Sequence, residues 1–202
     1  MKVSTSEKLD KGVIRLVEKR IGAKGIEFIL RFVPDLESND IVLLDTSSRF
    51  NIQKQPNDRY VAIVNLAMCN EINRLNKFFH TVNHKLADQG LFIGRAETIG
   101  ERKRRAYGKA MRPISDIYYF MDFVFHRVFP KIAGFKSFYF FATRGRRRVI
   151  SRAELLGRLV SCGFEIVIEE EIDNKLFFAV RKVKQAKKVV DPSYGPLFGR
   201  KR

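Results

Sequence analysis

The stretch from Val61 to Glu97 constrains the fold most, because it places an amphipathic helix between two short apolar runs. The run Val61–Leu66 is rich in β-branched residues and has polar neighbours, as a strand buried on both faces does. The following apolar residues recur at steps of three and four and mark one face of a helix: Ile72, Leu75, Phe79, Val82 and Leu86. Asn70 is predicted to cap this helix, Gly90 to stop it and Leu91–Ile93 to open a second strand. Since parallel strands need a helical crossover, the stretch predicts a right-handed βαβ unit.

The charge of the chain limits what it can bind. Among 202 residues, 39 Lys and Arg face 22 Asp and Glu, which leaves a net charge of +17. A field of that sign attracts phosphate in nucleic acid, in anionic lipid headgroups or in phosphorylated small molecules, and charge alone does not choose among them. With 45% hydrophobic residues, the chain can also bury a core.

Two cysteines and the absence of long apolar runs indicate a cytosolic setting. Cys69 and Cys162 lie far apart and form no zinc-binding pattern, so we expect two reduced, mostly buried thiols. The first twelve residues are too polar for a signal peptide. No stretch offers the roughly 18 uninterrupted apolar residues of a membrane-spanning helix.

Two helices and a strand are predicted before the central unit. Apolar periodicity indicates a helix over Ser6–Arg20 and another over Ile26–Phe32, which Pro34 ends. The run Ile41–Leu44 is typical of a strand and closes on Asp45.

The C-terminal part predicts a helix followed by a hairpin at a sheet edge. Ser151 and Glu154 have the spacing of a capping box, and Gly163 stands where a helix needs a left-handed residue. The predicted buried face of the helix is Leu155, Leu156, Leu159 and Val160. Glu165–Ile168 and Leu176–Val180 are typical of antiparallel strands. The intervening Glu169, Glu170 and Glu171 are interpreted as a solvated tip.

Two basic segments flank the most aromatic part of the chain, Ile114–Phe141, most of whose rings we expect in the core. Their cations are predicted to bind phosphate or a membrane surface: Arg102, Lys103, Arg104, Arg105, Arg144, Arg146, Arg147 and Arg148. Arginines beside apolar rings suit the headgroup boundary of an anionic membrane. They suit stacking on single-stranded nucleic acid equally well.

No catalytic constellation or metal site is expected. His80 and His84 have the one-turn spacing of zinc ligands, but the glutamate of HExxH is missing and His126 is the one further imidazole. Both are predicted to lie in solvent, off the apolar helix face. The sequence contains no GxSxG elbow, no Cys and His pairing and no Walker loop.

Several strings resemble the C-terminal half of class I S-adenosylmethionine methyltransferases: DRYVAIVNL, HKLADQGLFIG, and SCGFEIVIEEE with KLFFAVRK. This resemblance covers about residues 41–182. It implies an α/β fold with an incomplete Rossmann-like, mostly parallel sheet and a C-terminal antiparallel hairpin. Asp45 would match the acidic residue that contacts adenine, with Asn65 beside an abbreviated pocket. Residues 1–40 lack the glycine-rich turn and acidic strand end that hold the cofactor, so we expect none to be bound.

A closer resemblance is to the N-terminal region of bacterial polyprenyl glycosylphosphotransferases, the sugar transferases that start capsule or exopolysaccharide units. It is carried by SSRFNI with VNLAMCNEINRLNKFF, by YYFMDFVFHRVFPK with RGRRRVISRAELLGRL, and by DPSYGPLF before a basic run. In those proteins a degenerate methyltransferase-like domain precedes the catalytic domain. Here the chain stops at Arg202, where the catalytic part would begin, which implies an accessory piece without catalysis of its own.

Together these patterns predict a helical segment over 1–40, a methyltransferase-like α/β domain over 41–183 and a basic tail over 184–202. The resemblance implies an accessory or regulatory domain in cell-surface polysaccharide synthesis. Its expected partners are the catalytic domain of the sugar transferase and the anionic cytoplasmic face of the inner membrane. Two alternatives stay open: a methyltransferase with an abbreviated cofactor pocket, and a basic nucleic-acid-binding module.

Overall fold

The computed structural model describes residues 3–101, 104, 120–121 and 150–186. In that part, the helices are α1 (Val3–Ile21), α2 (Ala23–Leu30), α3 (Phe50–Gln53), α4 (Leu75–Lys85) and α5 (Arg152–Ser161). The strands are β1 (Ile41–Leu44), β2 (Tyr60–Met68), β3 (Leu86–Ala96), β4 (Phe164–Ile172) and β5 (Lys175–Lys182). No helix in these ranges is long and apolar enough to span a bilayer.

The five strands form one mixed sheet in the order β1-β2-β3-β5-β4. Strand β2 pairs in parallel with β1 and with β3, with Ile63 opposite both Val42 and Phe92. Strand β5 is antiparallel to β3 and to β4, so four of the five strands share one direction. The α/β class, the mostly parallel sheet and the C-terminal antiparallel hairpin predicted from sequence are confirmed.

One face of the sheet packs against α4 and α5 around a cluster of phenylalanines. Phe92 of β3 is fully buried, and its ring lies 5.7–6.3 Å, centroid to centroid, from four other rings in tilted or edge-on geometry. These rings belong to Phe78, Phe79, Phe164 and Phe178. Tilted aromatic pairs add to the free energy gained from burying the rings. The predicted apolar face of α4 is therefore a core face.

The opposite face of the sheet is covered by α1 and α2. Val17, Phe28 and Ile29 are buried against it, and Phe28 lies 5.7 Å, centroid to centroid, from Phe177 of β5. Helices on both faces give three layers, so β2, β3 and β5 are apolar on both sides, as interior strands must be.

The central unit differs from the prediction at the junction between helix and strand. Helix α4 ends at Lys85 and β3 begins at the next residue, so Gly90 lies inside the strand and does not stop the helix. At Gly90 a β-carbon would lie 2.9 Å from the carbonyl oxygen of Ala87 and 3.0 Å from that of Tyr60. Gly90 therefore allows a close approach of two backbones where the β2–β3 register is irregular.

The start of α4 also differs. The N-cap is Arg74, in the left-handed region at φ +57°, and no side chain caps the first turn. Asn70, the predicted cap, lies in a short 3-10 turn, and its Oδ1 accepts a hydrogen bond of 3.1 Å from the backbone N–H of Glu97. Asn70 therefore ties the end of β2 to the end of β3.

The capping box of α5 forms on the serine side. Ser151 Oγ accepts from the N–H of Glu154 at 3.1 Å, while the Glu154 carboxylate accepts from Arg158 at 2.9 Å and does not reach back. Gly163 is left-handed at φ +87°, as predicted. Leu155 and Leu159 are buried, but Val160 is 55% exposed.

The three glutamates of β4 are not a solvated tip. The hairpin turns two residues later, at Asp173 and Asn174, which both have positive φ. Each glutamate instead forms an ion pair with an arginine from a different part of the chain: Glu169 with Arg152, Glu170 with Arg31 and Glu171 with Arg104. Successive strand residues point to opposite faces, so the carboxylates meet helices on both sides of the sheet.

Candidate functional site

The carboxyl ends of β1, β2 and β3 lie along one edge of the sheet, which we call the carboxyl edge. In open α/β sheets, ligands bind in the crevice outside this edge. Asp45 directly follows β1, and Asn65 of β2 pairs with Leu44. The structure therefore brings the two predicted cofactor residues together.

The side chain of Asn65 forms hydrogen bonds within the protein. Its side chain is 1% exposed, its Oδ1 accepts from the N–H of Thr46 at 3.1 Å, and its Nδ2 donates to the carbonyl oxygen of Thr46 at 3.1 Å. Both ends of the carboxamide thus mimic a strand partner and fasten the loop after β1 to β2. Asn65 has a structural role at the carboxyl edge.

Asp45 is held by the C-terminal end of α1. Arg20 Nε donates to Asp45 Oδ2 at 2.7 Å and Arg20 Nη2 donates to Oδ1 at 3.1 Å, a bidentate pair. This hydrogen bonding raises the pKa of the Arg20 guanidinium. The pair is about half exposed, so it positions α1 over the edge and contributes little stability.

Arg95 is a buried cation at the edge that sequence reasoning missed. It is 3% exposed; its Nε donates to the carbonyl oxygen of Leu66 at 2.6 Å and its Nη2 to that of Arg20 at 3.4 Å. Burial lowers the pKa of Arg95, and repulsion from Arg20 adds to this effect. In the sequence, Arg95 stands inside the apolar run LFIGRA, and this position indicates a buried cation.

The space around Arg95 is nearly filled. A cavity of about 10 Å³ lies between Asn65, Arg95, Ile21 and Phe177, which is room for one water molecule at most. Arg95 Nη1 is buried and has no hydrogen-bond partner among the described residues. On this side, the C-terminal end of α1 packs over the strand ends.

An open cleft lies along the same edge, between the loop after β1 and the start of α4. Its volume is about 290 Å³, and we call it the basic cleft. All of its lining side chains are polar or charged: Ser47, Ser48, Arg49, Glu71, Asn73, Arg74 and Lys77. None of these residues was predicted as a site from the sequence, because no local motif joins two segments more than 20 residues apart.

The predicted phosphate-binding cations fall mostly outside the described residues. Arg104 is described, and its Nη2 pairs with Glu171 and lies 3.8 Å from Glu101. Outside the described ranges lie Arg102, Lys103, Arg105, Arg144, Arg146, Arg147 and Arg148. The aromatic stretch 114–141, apart from residues 120–121, and the tail beyond residue 186 are also outside.

The histidines and cysteines do not form a reactive group in the described ranges. No set of three potential metal ligands occurs there, and His126 lies outside them. His80 and His84 are half-buried, not solvated as predicted, and His84 Nδ1 lies 2.9 Å from Gln185 Nε2. The two cysteines are free and buried, as predicted, and burial raises the pKa of Cys69 to about 12.

The chain was compared with known proteins at three levels. No protein-family model matches it, and no curated protein does. A methyltransferase from Mesorhizobium loti, described as S-adenosylmethionine dependent, is 15% identical, with 64% of this chain and 66% of that chain aligned at a TM-score of 0.41. A possible exported protein from Bordetella parapertussis is 14% identical over 65% of this chain and 42% of its own, at a TM-score of 0.40.

A third solved structure, the CurJ carbon methyltransferase, is 13% identical over 70% of this chain and 34% of its own, at a TM-score of 0.39. The aligned region thus spans less than two thirds of each of these three proteins. Two of the three are methyltransferases. Likenesses at this level concern the fold alone, and the α/β assignment rests on the strand order given above.

Proposed function

We propose that this chain is an accessory domain, without catalysis of its own, of a sugar transferase in bacterial cell-surface polysaccharide synthesis. The pathway comes from the sequence resemblance to polyprenyl glycosylphosphotransferases. The accessory role is supported by the hydrogen bonds that the two candidate cofactor residues form within the protein. Asp45 accepts from Arg20, and Asn65 bonds to the backbone of Thr46.

The carboxyl edge gives further support for a scaffold role. A Rossmann-type cofactor site needs a glycine-rich turn for close backbone approach and an acidic side chain that can accept from a ribose hydroxyl. In residues 3–40, two helices and no strand precede β1, so this part of the chain has no strand-to-helix turn that could hold the cofactor. Asp45 already accepts two hydrogen bonds from Arg20, and α1 packs where an adenosyl group would approach the strand ends.

The proposed partners are the catalytic domain of the sugar transferase and an anionic membrane surface. The membrane proposal rests on the two basic segments, 102–105 and 144–148, and their aromatic neighbours in the sequence. Such segments suit nucleic acid as well. Submicromolar binding to DNA or RNA at physiological ionic strength would favour the nucleic-acid alternative over the membrane.

Deleting the chain in the organism that encodes it tests the accessory role. We expect the deletion to lower the amount of surface polysaccharide, and plasmid-borne wild-type chain to restore it. Asp45→Asn should restore it equally well, because the proposal gives Asp45 no chemical step. An unchanged polysaccharide level in the deletion strain would contradict the proposal.

A cofactor titration tests the main alternative, a methyltransferase with an abbreviated pocket. The basic cleft favours this alternative, since it lies where open α/β sheets place their ligands. Under the accessory proposal, calorimetry should detect no S-adenosylmethionine binding tighter than about 100 μM. Tighter binding that is lost in Asp45→Asn would instead support the methyltransferase.

A further inference from the structure

We propose that the basic cleft binds the phosphate group of a phosphorylated small molecule. The cleft does not depend on the pathway proposed above, and it is distinct from the basic segments singled out in the sequence. Its charge, its hydrogen-bond donors and its size all suit a phosphate group.

The lining of the cleft is net positive. Arg49, Arg74 and Lys77 contribute three positive charges and Glu71 one negative charge, which leaves +2. The Glu71 carboxylate interacts electrostatically with Arg20 and Arg95 behind it, so its repulsion of an anion in the cleft is partly offset. A site with this balance attracts a phosphate group and repels a cation.

Two of these cations, Arg74 and Lys77, differ from several arginines of the described part that pair with a carboxylate. Arg20, Arg31 and Arg152 each have a carboxylate partner. Arg74 and Lys77, by contrast, form no ion pair with any described residue. Their ammonium and guanidinium groups remain available to an anion, and guanidinium geometry matches two phosphate oxygens at once.

Neutral donors complete the set. Ser47 and Ser48 bring hydroxyl groups from the loop after β1. Arg74 lines the cleft and directly precedes α4, which has no side-chain cap, so the first backbone N–H groups of α4 and the positive end of its dipole lie beside the cleft. Cations, hydroxyls and backbone donors around one opening form the donor set that phosphate oxygens need.

The size of the cleft indicates the class of ligand. At about 290 Å³ it is at the lower limit of small-molecule sites, and it has no apolar lining residue. It suits a phosphomonoester or a diphosphate group with a polar attachment, such as a sugar or a nucleoside. A large apolar ligand would find no surface to bury.

A nuclear magnetic resonance titration of the full chain tests the proposal, with inorganic pyrophosphate as probe at constant ionic strength. The site variant is Arg74→Asn with Lys77→Gln; Asn is chosen because it tolerates the left-handed backbone of residue 74. The matched control is Arg15→Gln with Lys24→Gln, which removes the same charge from the exposed surfaces of α1 and α2.

In the wild type, we expect saturable shifts of the backbone amides of 47–49 and 74–77. The site variant should weaken pyrophosphate binding at least ~10-fold, and the control less than ~2-fold, because the control changes only the overall charge. Parallel titrations with inorganic phosphate and with adenosine diphosphate separate a simple anion site from one that also holds a nucleoside.

Equal weakening in both variants, or no saturable shift at these amides in the wild type, would overturn the proposal. Thermal unfolding verifies that each variant is folded. If the double variant does not fold, Lys77→Gln alone carries the test, since residue 77 lies on the helix surface and Gln is a good helix former.

Discussion

Asn65 is the side chain on which the carboxyl edge most depends, because it is buried and satisfies two backbone groups of Thr46. Asn65→Ala would leave the buried N–H and C=O of Thr46 without partners. We expect a loss of about 2–4 kcal/mol in the free energy of unfolding. Urea unfolding followed by circular dichroism measures it.

The control for this prediction is Asn39→Ala, at an exposed position before β1. It should change the free energy of unfolding by less than about 0.5 kcal/mol. Equal losses in the two variants would mean that the Asn65 carboxamide does not fasten the loop after β1.

The pKa of Cys69 gives a prediction for alkaline pH. Burial raises it from 9.0 to about 12, so between these values the unfolded chain loses a proton that the folded protein keeps. Its contribution to stability is therefore complete below pH 9 and is lost as the pH rises towards 12. In that window the unfolding free energy of wild type should fall by up to about 1.4 kcal/mol per pH unit more steeply than that of Cys69→Ala.

Urea titrations at pH 8, 9 and 10 compare the two proteins. Lysine and tyrosine titrations cancel in the comparison, since both proteins carry them. Parallel pH profiles would show that the Cys69 thiol ionises as readily in the folded protein as in the unfolded chain.

The sequence indicates two residues of the carboxyl edge, Asp45 and Asn65, but not their contacts. The resemblance to methyltransferases indicates Asp45 and Asn65, and the apolar run Ile41–Leu44 predicts the strand that Asp45 follows. Their partners, Arg20 and Thr46, lie 25 and 19 residues away along the chain and are set by helix packing and sheet register. Arg95 was missed for the same reason, since only the folded core shows that its surroundings are apolar.

Among the elements, α5 offers two glycines, Gly157 within the helix and Gly163 just after it. Replacing them by alanine should change the free energy of unfolding in opposite directions. At Gly163, φ is +87° and a β-carbon would lie 2.2 Å from the carbonyl oxygen of Lys184. At Gly157 a β-carbon meets nothing within 4 Å. Gly163→Ala should lower the unfolding free energy by more than about 2 kcal/mol, and Gly157→Ala should raise it by about 0.5–1 kcal/mol.

Thermal and urea unfolding of the two variants provide the measurement, and each serves as the control for the other. A stable Gly163→Ala protein would mean that the turn into β4 does not need a left-handed residue. A destabilised Gly157→Ala protein would contradict the exposed position of that residue on α5.

Elements with local signals were predicted well, and those set by tertiary contacts were not. The Ser151 cap and the left-handed Gly163 depend on neighbouring residues, so spacing alone identified them. The start of α4 does not follow from its neighbouring residues. Arg74 is the N-cap in a left-handed conformation that is unfavourable for arginine, and the predicted cap Asn70 accepts instead from the N–H of Glu97, directly after β3. The surrounding fold overrides local propensity there.

In the described part of the chain taken as a whole, the strand that comes last along the sequence lies inside the sheet. Strand β5 pairs with β3 on one side and with β4 on the other, so removing it would separate β4 from the parallel part. Asn83 of α4 extends this link beyond the strand. Its Nδ2 donates to the carbonyl oxygen of Lys184 at 2.9 Å, and its Oδ1 accepts from the N–H of Ala186 at 2.8 Å.

Because Asn83 is fully buried and joins α4 to the chain that leaves β5, its loss should weaken the molecule as one cooperative unit. We expect Asn83→Ala to lower the unfolding free energy by about 2–4 kcal/mol in a single transition and to speed amide exchange at residues 184–186. Asn76→Ala is the matched control, since Asn76 is exposed on the same helix and, among the described residues, its side chain accepts a hydrogen bond from Arg158. Equal stability of the two variants would mean that the segment after β5 is not held in place by α4. A second unfolding transition in Asn83→Ala would mean that the hairpin and the parallel strands unfold separately.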